Sequence, residues 1–203
     1  MVDRKIRSDK YTAYVGADNY EIGRQVGSYI AERLQGKGNL VEVAGLKAST
    51  SALERHRGLM DALRETPDIK LIASADAAWL RVPAEKAFGD ILSKFPDIDM
   101  VFAHNDRMAA GAYDAAVKQH REHDMLFVGI DALAGEGYGV EQVANRQLDA
   151  TFIYPTGGDK VMEVAMNILQ GQDYTRETVL STALVNKANA RIMQMQTAHI
   201  GQL

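Results

Sequence analysis

The sequence predicts an α/β fold built on a doubly wound parallel sheet. Three observations carry that expectation. Short β-forming runs alternate with amphipathic helical segments, the rhythm of βαβ units. Apolar runs such as Met125–Ile130 suit strands covered on both faces. Polar residues recur where the strands end, at Asp18-Asn19, Asp76, Asn105-Asp106, Asp131 and Tyr154. That edge is where folds of this kind bind ligands.

The elements follow in order. Residues 11–18 alternate apolar and polar and read as a strand. Residues 21–36 place Ile22, Val26, Tyr29, Ile30 and Leu34 on one helical face, with Gly36 as the C-cap. Residues 38–46 form a strand. The segment 49–66 starts on Ser/Thr, keeps helical spacing through Leu53, Leu59, Ala62 and Leu63, and has Pro67 just beyond. A strand at 69–77 precedes a helix at 83–95, opened by Pro83 and stopped before Pro96. Strands at 98–106, 124–132 and 148–154 alternate with helices at 107–120 and 137–147. Pro155 and the Gly157-Gly158 pair mark a crossover between lobes, followed by a helix at 159–171. At the end, Val185, Ala188, Ile192, Met195 and His199 recur at spacings of three and four, a short heptad seam.

Bulk properties narrow the function. The chain has 203 residues, no cysteine and a formal charge of -4. Zinc-thiolate sites, disulfides and thiol nucleophiles are excluded, and nothing in the charge points to nucleic acid. No apolar run is long enough to span a bilayer, and the charged opening MVDRKIRSDKY lacks the apolar region of a signal peptide. That abrupt opening leads us to expect a cut from something longer.

The strand-end residues suit a polyhydroxylated ligand. Asn105, Asp131 and Arg55 can bond adjacent sugar hydroxyls in pairs, and the rings of Trp79 and Tyr154 can cover an apolar C–H face. Each has a plainer alternative: an Asp or Asn after a strand commonly caps the next helix, Trp79 fits a packed core, and a helical Arg55 fits a solvated surface. His120 and His123 have H-x-x-H spacing but sit in a charged surface segment. GEGYG at 135–139 lacks dinucleotide-loop spacing, and no phosphate loop or nucleophile elbow is present. No catalytic constellation, metal site or cofactor site is expected.

VFAHNDRMAAGA followed by LFVGIDAL resembles the type I periplasmic sugar-binding proteins, with ribose-binding proteins nearest and the ligand cores of LacI-type repressors sharing the pattern. GADNYEIGRQVGSYIAERL resembles that family's crossover into its second lobe, and TSALERHRGLMDAL the segment carrying a sugar-binding arginine. The resemblance runs to about Val185. It implies a complete second lobe at 19–154, a remnant of the first lobe and crossover at 1–18, a return segment at 155–185 and a C-terminal signalling helix at 186–203. The ligand contacts it implies are Asp3, Arg4, Arg55 (with Arg57 as rival), Trp79, Asn105, Asp131 and Tyr154, the last standing where ribose binders have Gln. Asp106 would cap its helix. The implied function is a non-catalytic, periplasmic sugar-sensing domain of a two-component histidine kinase. A transporter's soluble sugar-binding protein and a LacI-type core are the alternatives. Implied partners are a small carbohydrate, the rest of the first lobe, a membrane-anchored kinase and a second copy as homodimer, with no nucleic acid.

Overall fold

The computed structural model describes residues 1–6 and 8–200, without the side chains of 196–200. Its elements are β1 (Tyr14–Ala17), α1 (Asn19–Arg33), β2 (Lys37–Ala44), α2 (Thr50–Leu63), β3 (Asp68–Asp76), α3 (Arg81–Leu92), β4 (Met100–Ala103), α4 (Asp106–Lys118), β5 (Leu126–Asp131), α5 (Gly139–Ala144), β6 (Ala150–Ile153), α6 (Gly158–Leu169), β7 (Glu177–Leu180), β8 (Leu184–Asn186) and α7 (Ala190–Ile200). A six-stranded sheet has the order β3-β2-β4-β5-β6-β8 and a second sheet pairs β1 with β7. All pairings are parallel except β8 on β6.

Strand periodicity explains the two-sided winding. Leu40, Met100, Phe102, Val128, Ile130 and Phe152 face one way and meet Ile22, Val26 and Ile30 of α1 and Leu59 and Leu63 of α2. Val41, Val43, Val101, Ala103 and Phe127 face the other way, against Phe88, Met108, Ala112, Val140 and Val143. Each fully buried side chain of this size contributes about 1.5–3 kcal/mol. The chain runs from β2 to β3 on one side and then crosses to β4 on the other. The carboxyl ends of β2 and β4 therefore open a switch-point crevice, the usual ligand position in such sheets.

Local details depart from expectation in several places. Leu53, expected on the buried face of α2, is 47% exposed. Gly36 is not the left-handed cap residue of α1 by itself. Gln35 takes that position with φ 52°, and bonds from Gln35 N to Glu32 O (3.1 Å) and from Gly36 N to Ala31 O (2.9 Å) close the helix. The heptad seam does not lie on one helix. Val185 is fully buried in β8, where Thr151 is its register partner, and α7 begins only at Ala190. Ala190 is buried and Met193 packs against the core, while Ile192 and Met195 are exposed. The remaining seam position, His199, lies outside the described side chains. Residues 155–185 form α6 and β7 beside β1, and the last two of them enter β8 in the larger sheet.

Candidate binding site at the strand ends

Arg55 stands at the centre of the crevice and is 3% exposed. Its position follows from how closely α1 and α2 approach. A Cβ at Gly23 would lie 2.2 Å from the Arg55 carbonyl oxygen, and one at Gly58 would lie 2.1 Å from that of Tyr20. Only glycine allows backbones this close, and the contact turns Arg55 inward beneath β4. Its Nε donates to Asn19 Oδ1 at 2.9 Å and its Nη1 donates to the His104 carbonyl. The guanidinium carbon lies 5.5 Å from the Trp79 ring centroid and 5.0 Å from that of Tyr154. The charge is thus flanked by two aromatic rings. Burial pushes the Arg55 pKa down, and Tyr154, Asp131 and Asp3 oppose that shift. Arg57 is the exposed rival; its guanidinium lies 4.6 Å from the Tyr20 ring centroid.

Trp79 sits in the turn after β3, where Ala78 and Trp79 have φ of 50° and 69°. Left-handed conformations cost side-chain-bearing residues about 1–2 kcal/mol, so the turn must be held. Asp76 Oδ1 accepts from Ala78 N at 2.8 Å, and Asn105 Nδ2 donates to the Trp79 carbonyl at 3.4 Å. The Trp79 indole N–H is buried and has no acceptor among the described residues.

Tyr154 joins the two sheets' territories: its hydroxyl donates to Asp3 Oδ1 at 2.7 Å. Burial and that bond push the phenol up to about 12. Asp131 ends β5 with φ 131°. Burial pushes its carboxyl up to about 6, against the pull of Arg55 and Arg107. Arg4 stands apart from the rings. It is exposed, lies 3.6 Å from Asp3 and lines a neighbouring cavity of about 220 Å³ with Asn19, Tyr20, Glu54 and Arg57.

At the end of β4 the helix cap is one residue earlier than expected. Asn105 caps α4, accepting from Met108 N at 2.9 Å. Asp106 is not the cap. It is 5% exposed, and accepts from Thr151 Oγ1 at 2.6 Å and from Ala132 N at 2.8 Å. The physical reason is register: a cap side chain must reach the backbone N–H three residues on from just outside the helix, and Asp106 is already the first helical residue. Its carboxyl instead ties α4 to β6 and to the loop following Asp131. Burial pushes it up to about 8, against the two bonds it accepts.

A polar network behind the crevice escapes the sequence reading. Glu42 is 1% exposed, and accepts from His104 Nε2 at 3.0 Å, Ser74 Oγ at 2.8 Å and His56 Nδ1 at 2.9 Å. His104 Nδ1 accepts from Gly45 N at 3.3 Å, which assigns His104 the Nε2–H tautomer. Burial pushes the His104 pKa down, keeping the ring neutral, although Glu42 pulls the other way. Burial alone would raise Glu42, but the hydrogen bonds it accepts from His104 and His56 hold it below the usual carboxylate range. One sequence signal was available: a glutamate in the middle of the apolar run LVEV.

The structure therefore brings together Asp3, Arg55, Trp79, Asn105, Asp131 and Tyr154, with Arg4 alongside. Rings for a C–H face, and charged groups for hydroxyls, suit a compact polyol. A family model described as periplasmic binding protein domain matches residues 1–173. The D-apiose import binding protein of Paraburkholderia graminis is 27% identical over 200 residues, covering 96% of this chain and 63% of its own. The ribose import binding protein of Escherichia coli K12 is 28% identical over 188 residues, covering 92% and 62%. The chain thus spans a little under two thirds of these relatives' length. Among solved structures, the fructose-binding periplasmic domain of hybrid two-component system BT1754 superposes with TM-score 0.97 at 60% identity, covering 100% of this chain and 67% of that one. A solute-binding protein of Actinobacillus succinogenes 130Z with bound D-allose gives 0.83 at 27%, covering 89% and 63%.

Proposed function

This chain belongs to the periplasmic binding protein family, and from that premise we propose that it is the greater part of a periplasmic sugar-sensing domain of a two-component system. The observation that carries the reading is the buried Arg55 between Trp79 and Tyr154, with Asp3 and Asp131 near its charge. The domain binds and does not transform its ligand. Sugar hydroxyls engage Arg55, Asp131, Asn105 and Asp3, and the ring's C–H face lies on Trp79. Fructose is the first candidate, because the 60% identical relative is a fructose-binding domain. A chain segment matching the remaining third of the relatives supplies the opposite wall, and closure on sugar moves the lobes about the crossovers at Asp18 and Pro155. The exposed Ile192 and Met195 of α7 then offer a route for the signal toward a kinase or a second copy. The second reading, a transport protein, is favoured by the import binding proteins among the relatives. Flanking sequence separates the two: a membrane span and kinase modules after Leu203 mean a sensor.

Calorimetric titration of the full ligand-binding region with fructose, ribose, D-allose and D-apiose tests the reading. One saturable site for fructose is expected, and absence of binding by every sugar overturns it. Asp131→Ala weakens binding by about 1–3 kcal/mol, because it leaves the sugar hydroxyls it would bond without a partner in a dry site. Unchanged affinity removes Asp131 from the site.

A further inference from the structure

We propose that Gly45, held by the buried His104–Glu42 pair, is the positioning residue that admits tryptophan at position 79 and so sets the stacking surface of the sugar site. The proposal rests on the sugar-binding reading and adds a residue that touches no ligand. A Cβ at Gly45 would lie 2.3 Å from Cη2, 2.3 Å from Cζ2 and 2.4 Å from Cζ3 of the Trp79 ring. Real Cβ atoms do not approach this closely, so any side chain at 45 displaces the indole. The three atoms form the far edge of the six-membered ring, beyond the reach of a phenylalanine. The obstacle is therefore specific to tryptophan.

The Trp79 backbone is held by Asp76 through Ala78 N, by the Asn105 amide on its carbonyl and in a left-handed conformation, so the indole yields only by leaving its rotamer. Gly45 is fixed as well. Its N–H is bound to His104 Nδ1, and the His104 Nε2–H is bound to Glu42. The same His104 holds Arg55 through its carbonyl. One buried histidine thus sets both the ring on which the sugar lies and the guanidinium beside it. The ring centroids of His104 and Trp79 are 6.2 Å apart.

Trp79 is the single tryptophan of the chain, so intrinsic fluorescence reports its setting directly. The experiment compares wild type, Gly45→Ala, Trp79→Phe and the double variant in the full ligand-binding region, with fructose as probe. Gly45→Ala shifts the ligand-free emission and weakens fructose binding roughly tenfold or more. The double variant binds within about twofold of Trp79→Phe alone, because the clashing atoms are gone. If Gly45→Ala fails to fold, the double variant folds. Glu42→Gln shifts the emission as well, by loosening His104 behind Gly45. Independent, multiplying losses in the double variant overturn the proposal, as does an unchanged emission in Gly45→Ala or Glu42→Gln. If wild type binds no fructose, fructose is ruled out as the ligand while the emission and folding comparisons still decide the role of Gly45.

Discussion

The Asp106 carboxyl lies at the first turn of α4 and is almost sealed from water. With its pKa raised to about 8, the folded chain holds a proton there that the unfolded chain releases near pH 4. Folding therefore takes up a proton across that window. The associated stability is fully present at low pH and is lost as pH rises toward 8, by at most ~1.4 kcal/mol per pH unit. Asp131 acts with the same sign, but only up to about 6. His104, whose pKa burial lowers, acts with the opposite sign until the unfolded imidazole is neutral near about pH 7, so Asp106 leads the slope between about pH 7 and 8. Asp106→Asn keeps an acceptor for Ala132 N–H, turns its amide N–H toward Thr151 Oγ1, which then accepts instead of donating, and cannot titrate. Urea denaturation at a series of pH values should show a falling wild-type stability and a flat variant over this range; parallel profiles would falsify the assignment. The neighbouring Asn105 and Asp106 also mark where single residues stop being legible. Both read as polar strand-end residues, and which one caps the helix depends on where its first turn begins. A shift of one residue moved Asp106 from the helix cap to a buried tie. Arg55, Trp79 and Tyr154 stood out in the sequence because stacking and paired bonding call for those residue types, and the structure places the three side by side. Glu42 and His104 were not, because their work is done on each other and on the backbone behind the site.

At the scale of elements, the α1–α2 contact decides where Arg55 points, and two opposed effects meet at Gly58. Alanine favours a helix interior over glycine by about 1 kcal/mol. Its Cβ would stand 2.1 Å from the Tyr20 carbonyl oxygen, however, and the backbone on which that atom sits cannot yield without parting the helices. Overpacking of this kind costs about 1–3 kcal/mol, so packing wins. Gly58→Ala should lower the urea midpoint with little change in slope and also weaken sugar binding, since Arg55 moves with α2. A stabilised variant with wild-type affinity would show that the helices have slack. Helix periodicity made α1 through α4 legible, because one face of each lies on a sheet wide enough to impose the pattern. The strands β7 and β8 carry little such pattern. β7 is half exposed, β8 has three residues, and their partners β1 and β6 lie far away in sequence. Val185 looked like the first residue of a helical seam because an apolar residue three before Ala188 fits a heptad as well as it fits an edge strand.

Across the whole molecule the two sheets differ sharply in what stabilises them. The six-stranded sheet is packed on both faces, with side chains such as Phe88, Phe102 and Phe152 at 2% exposure or less. The β1–β7 sheet has two strands and a buried cluster of Ala13, Val15 and Val164. Beside it, Met162 is 63% and Leu169 is 81% exposed on α6, and Val179 is 55% exposed on β7. β1 is buried along its length but β7 is half exposed, and a two-stranded sheet is marginal in water without further packing, whereas the large sheet buries apolar surface on both sides. The chain by itself should therefore open in two steps. Amides of β1, β7 and α6 exchange with solvent through local opening, and those of β2, β4 and β5 exchange only through global unfolding. Hydrogen-exchange mass spectrometry of the 203-residue chain separates the two groups, with faster exchange in residues 14–17, 158–169 and 177–180 than in 37–44, 100–103 and 126–131. Equal protection would mean that the contacts between the units, Tyr154 on Asp3 and Ala17 in the larger core among them, bind the small sheet as firmly as its own core would. Tyr154→Phe then decides: if that hydroxyl is what holds the units together, its loss speeds exchange in the small sheet alone, and the large sheet keeps its protection.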